Sequence, residues 1–327
     1  MKELGKTGFL IHPIGLGGIP IQRVGIQAVK QIIDAMEVHQ MNFIDTARAY
    51  TNSESLLGDA LFGRREHFFL ASKSMAKTYE SMKKDVETSL SNLKTTWIDC
   101  YQLHNPRNIN DIEGPLKALM EARKAGLIRH IGITNHSKEV LMEAMKLGVF
   151  ETIQFPYNFL ESQGEEVFIA AKRQGLGTIV MKPLAGGVIE NGPLALKYIL
   201  NNPNIDVIIP GMGSSSEVEQ NQGARLGAYL PEEEALIESM RTSLKEEFCH
   251  RCGYCLPCPQ GIDIPVLFTF EGYHERYELK AWAKERYASM KVRADACIGC
   301  RVCETRCPYH LQISLRMKRI QKIFEKC

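Results

Sequence analysis

Between residues 13 and 211 the chain repeats one pattern: a short apolar run, then a longer stretch with apolar residues on one helical face. The runs are "PIGLG" (13–17), "NFID" (42–45), "FFLAS" (68–72), "IDCYQLH" (98–104), "IRHIGIT" (128–134), "TIQF" (152–155), "GTIVMK" (177–182) and "DVIIPG" (206–211). Runs of this length and character read as strands covered on both faces. After the first of them, Val29, Ile32, Ile33 and Met36 stand at the i, i+3, i+4, i+7 spacing of one helix face. Eight such units over roughly 225 residues is the count for a (β/α)8 TIM barrel. A doubly wound sheet is the competing reading. It should open with G-x-G-x-x-G, but Pro20 holds the third glycine position of "GLGGIP".

Chemistry in a barrel gathers at the C-terminal ends of the strands. The second run ends in Asp45, with Tyr50 five residues on in "DTARAY"; the third leads into Lys73, and the fourth ends in His104. Each alone has a structural reading, as a helix cap, a solvated charge or a core histidine. Together, at three consecutive strand ends, they converge on one rim. Tyrosine ionises near pH 10, so as a proton donor at neutral pH it needs help. A lysine beside it favours the phenolate, an aspartate keeps the lysine charged, and a histidine can hydrogen-bond a carbonyl oxygen. The set suits polarising and protonating a carbonyl while another group delivers hydride.

At these residues the chain resembles the aldo/keto reductases. The resemblance spans nearly all of residues 1–230 through "GLGG", "DTARAY…SE", "ASK", "LHNP", "GLIRHIGITN", "QFPYN", "PLAGG" and "IIPGM…EQN". It implies Tyr50 as general acid, Lys73 and Asp45 as its tuning pair, and His104 as the group orienting the carbonyl. Thr134, Asn135 and Gln154 match positions that hold a nicotinamide carboxamide. The aromatic that usually stacks on the nicotinamide falls at Met181, a departure that weakens stacking there. The loop from Pro210 to Asn221, with Gly211, Glu217, Gln220 and Asn221, matches the segment around the adenosine end. Phosphate-preferring relatives carry a basic residue four before the asparagine; here Glu217 stands there, and "GMGSSSEVEQNQ" has no Lys or Arg. The resemblance therefore implies NAD(H) over NADP(H). Glu217 also suits the start of a helix, where an acid complements the dipole.

The ten cysteines are uneven: Cys100 alone precedes residue 249. "CIGCRVCETRCP" (297–308) has the C-x2-C-x2-C-x3-C-P spacing of bacterial ferredoxins, in which the fourth cysteine ligates the other cluster. "CHRCGYCLPCP" (249–259) is the second run, one residue shorter. Exchange then gives two [4Fe–4S] clusters: Cys249, Cys252 and Cys255 with Cys307, and Cys297, Cys300 and Cys303 with Cys258. Four-cysteine zinc sites are the alternative, although they rarely draw three ligands from one tight run. Cys100 reads as strand core and Cys327 as a terminal thiol. The shift in composition sets domains of 1–230, the barrel, and 231–327, a small, mainly helical ferredoxin-like module whose first helix opens at "PEEEAL".

From Gly272 to Cys327 there are thirteen Lys and Arg against six Asp and Glu. A nucleic-acid surface is one reading. Two oxidised cubanes with their thiolates carry on the order of −4 charge, which such cations would balance. The helix of "LRMKRIQKIFEK", with Leu315, Ile320 and Ile323, is expected to dock on the barrel, and no nucleic-acid partner is expected. No apolar stretch approaches the roughly 20 residues of a membrane helix, and "MKELGKTGFLIHPIG" lacks a signal-peptide core. A cytoplasmic enzyme with reduced thiols is expected.

A hydride carries two electrons and a cubane takes one, so a flavin or another converter would be needed between them. No flavin motif is readable, though a barrel phosphate site can hold flavin mononucleotide without one. The expected function is a nicotinamide-dependent oxidoreductase acting on a small carbonyl or alcohol, its clusters exchanging electrons with a redox protein partner or a bound flavin. The alternative is an electron-transfer or redox-sensing protein in which the barrel mainly binds a cofactor or partner.

Overall fold

All eight apolar runs become strands of one sheet, every neighbouring pair parallel. The computed structural model describes residues 1–244, 249–251 and 253–325. A short antiparallel hairpin comes first, β1 (Lys2–Glu3) and β2 (Leu10–Ile11). The sheet then runs β3 (Leu16–Gly17), β4 (Phe43–Asp45), β5 (Phe69–Ser74), β6 (Ile98–His104), β7 (Ile128–Thr134), β8 (Thr152–Pro156), β9 (Gly177–Met181) and β10 (Val207–Ile208), in that spatial order. Helices alternate with these strands: α1 (Ile26–Val38), α2 (Ser53–Ala60), α3 (Tyr79–Asn92), α4 (Glu113–Lys124), α5 (Lys138–Lys146), α6 (Glu165–Arg173), α7 (Gly192–Leu200) and α8 (Ser215–Gln222).

Parallel bridges Ile14–Ile208 and Gly17–Gly211 join the first strand segment to the last, and the Gly17 N–H donates to Pro210 O at 2.8 Å. Any side chain at Gly17 would meet the Ile209 carbonyl at 2.7 Å, so glycine is what lets the two segments approach. The sheet closes, and the doubly wound alternative falls.

Two apolar layers hold the barrel. Val29, Ile32, Ile33 and Met36, the predicted helix face, are fully buried between helices and strands. Inside, Leu4 and Ile11 of the hairpin join Phe43 and Phe69, whose rings stack at 5.2 Å. Phe43 and Phe69 begin their strands, so the hairpin plugs the N-terminal end of the barrel. Burying Leu4 and Ile11 contributes about 1.5–3 kcal/mol each. The plug leaves the opposite, C-terminal end for chemistry.

The chain divides into two units, Met1–Ala185 with Ile189–Ala228, and Gly186–Val188 with Tyr229–Cys327. The second unit carries α9 (Pro231–Leu244), α10 (Ile264–Glu275), α11 (Lys280–Ala288), α12 (Val302–Thr305) and α13 (Ile313–Glu325). Pro231 opens α9, followed by three glutamates in the first turn. Leu315, Ile320 and Ile323, expected to dock the tail helix on the barrel, do not form one such face: Ile320 and Ile323 pack within their own unit. Ile313, Met317, Ile320 and Phe324 form the buried stripe of α13 and pack into this unit's own core with Leu267 and Phe268. Leu315 lies off that stripe and is 62% exposed. Arg316 of α13 also pairs with the buried Glu271 of α10 at 2.6 Å. Among the described residues no helix is long and apolar enough to cross a membrane.

Candidate active site

The register of β4, β5 and β6 brings the predicted rim residues together. Asp45 and Lys73 are 2% and 1% exposed and form an ion pair. The Lys73 ammonium also donates to Thr46 O at 2.9 Å. Burial raises the Asp45 carboxyl and lowers the Lys73 ammonium from their ordinary ranges, and their mutual attraction opposes both shifts. Lys73 Nζ lies 5.0 Å from the centroid of the Tyr50 ring. That ring stands edge-on to His104, with centroids 6.2 Å apart. All four predicted residues therefore share one site at the C-terminal end.

Burial, then the nearby Lys73 and Lys182 cations, push the His104 imidazole down to about 3. It is neutral at ordinary pH, with one N–H to donate. Its Nδ1 is enclosed and has no partner among the described residues. A phenol beside a cation and a neutral imidazole facing its edge can jointly polarise and protonate a carbonyl oxygen.

Two buried polar residues that sequence reasoning passed over support this group. Glu54, 1% exposed on α2, accepts from Ser72 and Ser89 at 2.7 Å and from Arg48 at 2.6 Å. Arg48 is two residues before Tyr50, so this network anchors the turn that carries the phenol. Gln102, fully buried on β6, donates to Asp45 Oδ2 at 3.2 Å and to Gln154 Oε1 at 2.9 Å. Alternation along β6 was the available signal, since Cys100, Gln102 and His104 share one face.

The expected cofactor contacts fare unevenly. Thr134, Asn135 and Gln154 are all buried at the C-terminal end of β7 and on β8. Asn135, however, is bound to its own loop and to the one after β6: Oδ1 accepts the His136 and Ser137 N–H groups at 2.8 Å, and Nδ2 donates to Pro106 O at 2.7 Å. One N–H of its carboxamide is left for a ligand. Thr134 Oγ1 lies 3.7 Å from the Met181 sulfur. Ser214 caps α8, and Glu217 in the first turn accepts the Gly213 N–H at 2.5 Å. Glu217 thus ties the residue before the cap to the first turn of α8, with one oxygen engaged. Gly211 and Gln220 are exposed, and Asn221 is buried.

The cysteines surround two cavities. One is lined by Cys258, Cys297, Cys300 and Cys303 with apolar walls such as Ile264 and Met317. The other is lined by Cys249, Cys255 and Cys307, with Phe268 and Leu311. Cys252 and Cys327 lie outside the described residues. Among those described, no three His, Cys, Asp or Glu side chains form a single-ion site. Four thiols around an apolar cavity are a donor set that fits an iron–sulfur cubane. Cys100 is buried on β6, and burial pushes its thiol up to about 12.

The family model described as "Aldo/keto reductase family" matches residues 13–193, more than half of the chain. The chain belongs to the aldo/keto reductase family. Residues 248–312 match a 4Fe-4S dicluster domain, so this reductase is of the fused kind and the zinc alternative gives way. It is 24% identical over 301 residues to "Uncharacterized oxidoreductase YqkF" of Bacillus subtilis, spanning 75% of this chain and 97% of that one. It is 26% identical over 304 residues to "L-galactose dehydrogenase" of Arabidopsis thaliana, spanning 74% and 95%. Among solved structures, the holo form of aldo-keto reductase AKR11C1 from Bacillus halodurans superposes with a TM-score of 0.65 at 25% identity, covering 73% of this chain and 95% of that one.

Proposed function

We propose that this aldo/keto reductase reduces a small aldehyde or ketone, or oxidises the matching alcohol, with a nicotinamide cofactor. Its two clusters exchange electrons with a protein partner or a bound flavin. The observation that carries the reading is the Lys73 ammonium held 5.0 Å from the Tyr50 ring by a buried aspartate. Tyr50 gives its proton to the carbonyl oxygen, and Lys73 stabilises the charge left on the phenol. The neutral His104 donates a hydrogen bond to the same oxygen and orients it. When bound, a nicotinamide supplies hydride and each cubane carries one electron at a time.

Thr134, Gln154 and the remaining N–H of Asn135 would hold the carboxamide of the nicotinamide, with Met181 beside the ring. The loop through Gly211, Glu217, Gln220 and Asn221 would hold the adenosine end. Because that loop lacks any cation and presents Glu217, NAD(H) is favoured over NADP(H). In the second unit, Cys249, Cys252, Cys255 and Cys307 would take one cluster, and Cys258, Cys297, Cys300 and Cys303 the other. The cavity linings support this exchanged pairing.

Tyr50→Phe tests the reading. Reduction of a test aldehyde should fall by roughly 10²–10⁴, with NADH affinity retained. A fully active variant would overturn it.

A further inference from the structure

Gln102 carries a polar side chain where a barrel interior would take an aliphatic one, and its surroundings say what it is for. It is fully buried, and its carboxamide oxygen has no partner among the described residues. A buried unpaired acceptor costs about 1–3 kcal/mol, which leucine or methionine at this position would avoid. The nitrogen end, by contrast, is fully engaged. One N–H goes to Asp45 Oδ2 at 3.2 Å and the other to Gln154 Oε1 at 2.9 Å.

The second bond spans a strand. Gln102 stands on β6 and Gln154 on β8, with β7 between them. The β7 residue in register with Gln102 is Gly132. A Cβ added there would lie 3.0 Å from Gln102 Cγ and 2.2 Å from Thr152 Oγ1. The missing side chain on β7 leaves the space through which Gln102 reaches Gln154. One layer deeper, Cys100 reaches Thr152 across the same glycine at 3.2 Å.

We propose that Gln102 is a positioning residue for cofactor binding: it fixes which end of the Gln154 carboxamide faces the ligand and ties that choice to Asp45. This role rests on the carbonyl-reduction reading of the same site. Because Gln154 Oε1 accepts from Gln102, its NH2 group is the end left to donate. That end suits an acceptor, which in a nicotinamide carboxamide is the carbonyl oxygen. Gln102 with its donor nitrogen replaced by an apolar group would leave Gln154 able to turn over and present acceptor to acceptor.

The test is a double-mutant cycle read by NADH titration, which requires no turnover. Gln102→Met keeps the volume and removes the donors. It should weaken NADH by about tenfold, within the range of couplings seen for contacting residues. In a Gln154→Leu background the same change should alter NADH affinity by less than about twofold. Gln102→Leu, which also lacks any donor, should repeat the loss and serves where the methionine variant fails to fold. Wild-type affinity in both Gln102 variants would overturn the proposal, as would an equal loss with and without Gln154. Activity in Tyr50→Phe would instead remove the reading on which it rests, and the two failures are told apart by which variant shows them.

Discussion

Lys73 lies 5.0 Å from the centre of the Tyr50 ring while its ammonium is paired with Asp45, both ions almost wholly out of water. A buried pair is costly to break from one side, because the remaining ion is stranded. Lys73→Met should therefore lose activity and about 3–5 kcal/mol of stability. Adding Asp45→Asn removes the stranded carboxylate, so the double variant should regain most of the stability and none of the activity. Urea unfolding beside aldehyde reduction measures both. Activity returning with stability would show that the cation is not used in catalysis.

His104 sets a pH dependence of known sign. Its folded value, about 3, lies below the ordinary value of 6.5. The unfolded chain thus binds the proton more readily below pH 6.5, so this group's stabilising contribution is complete above that pH. It is lost as pH falls toward 3. His104→Leu should unfold less steeply with acid between those limits than the wild type. For the same reason kcat/KM should show no limb from His104 between pH 5 and 8. A matching acid slope in wild type and variant would contradict the neutral imidazole.

The cavities predict how the clusters depend on single thiols. Protein isolated without oxygen should contain about eight iron and eight acid-labile sulfide per chain. Cys258 lines the cavity of Cys297, Cys300 and Cys303 although it belongs to the other run. Cys258→Ala should therefore deplete that cluster and leave about four iron. Stoichiometric zinc without sulfide, or loss of the Cys249 cluster in this variant, would refute the pairing.

Cofactor choice turns on Glu217. NADH should bind more tightly than NADPH by at least about tenfold, or 1.4 kcal/mol. Glu217→Arg should narrow or reverse that gap. Because Glu217 also accepts the Gly213 N–H at the start of α8, the exchange should cost about 1 kcal/mol of stability as well. Equal or tighter NADPH binding by the wild type would sink the assignment.

What the chain disclosed in advance follows from how local each feature is. Strands covered on both faces are written as continuous apolar runs, so β3 to β10 and the residues at their ends were readable. The β1–β2 hairpin was not: its strands are two residues long, and Leu10 faces out. Gln102 sits inside such a run, and alternation from His104 places it in the interior. Its bond to Gln154 needed Gly132, a gap on a different strand. Family likeness marked Asn135 for the cofactor but could not show that it also bonds to its own loop and to the one after β6. For α13 the apolar stripe was visible, but a stripe does not say which surface will cover it.

The seam at Gly17 and Gly211 has a consequence for the chain as it is made. It links the first barrel strand to the last, so a ribosome must release Gly211 before the cylinder can shut. Until then β3 and β9 hold unpaired edges, each a template for another nascent chain. Polypeptides stopped short of Val207 should therefore precipitate or occupy chaperones, even with seven of the eight strands already made.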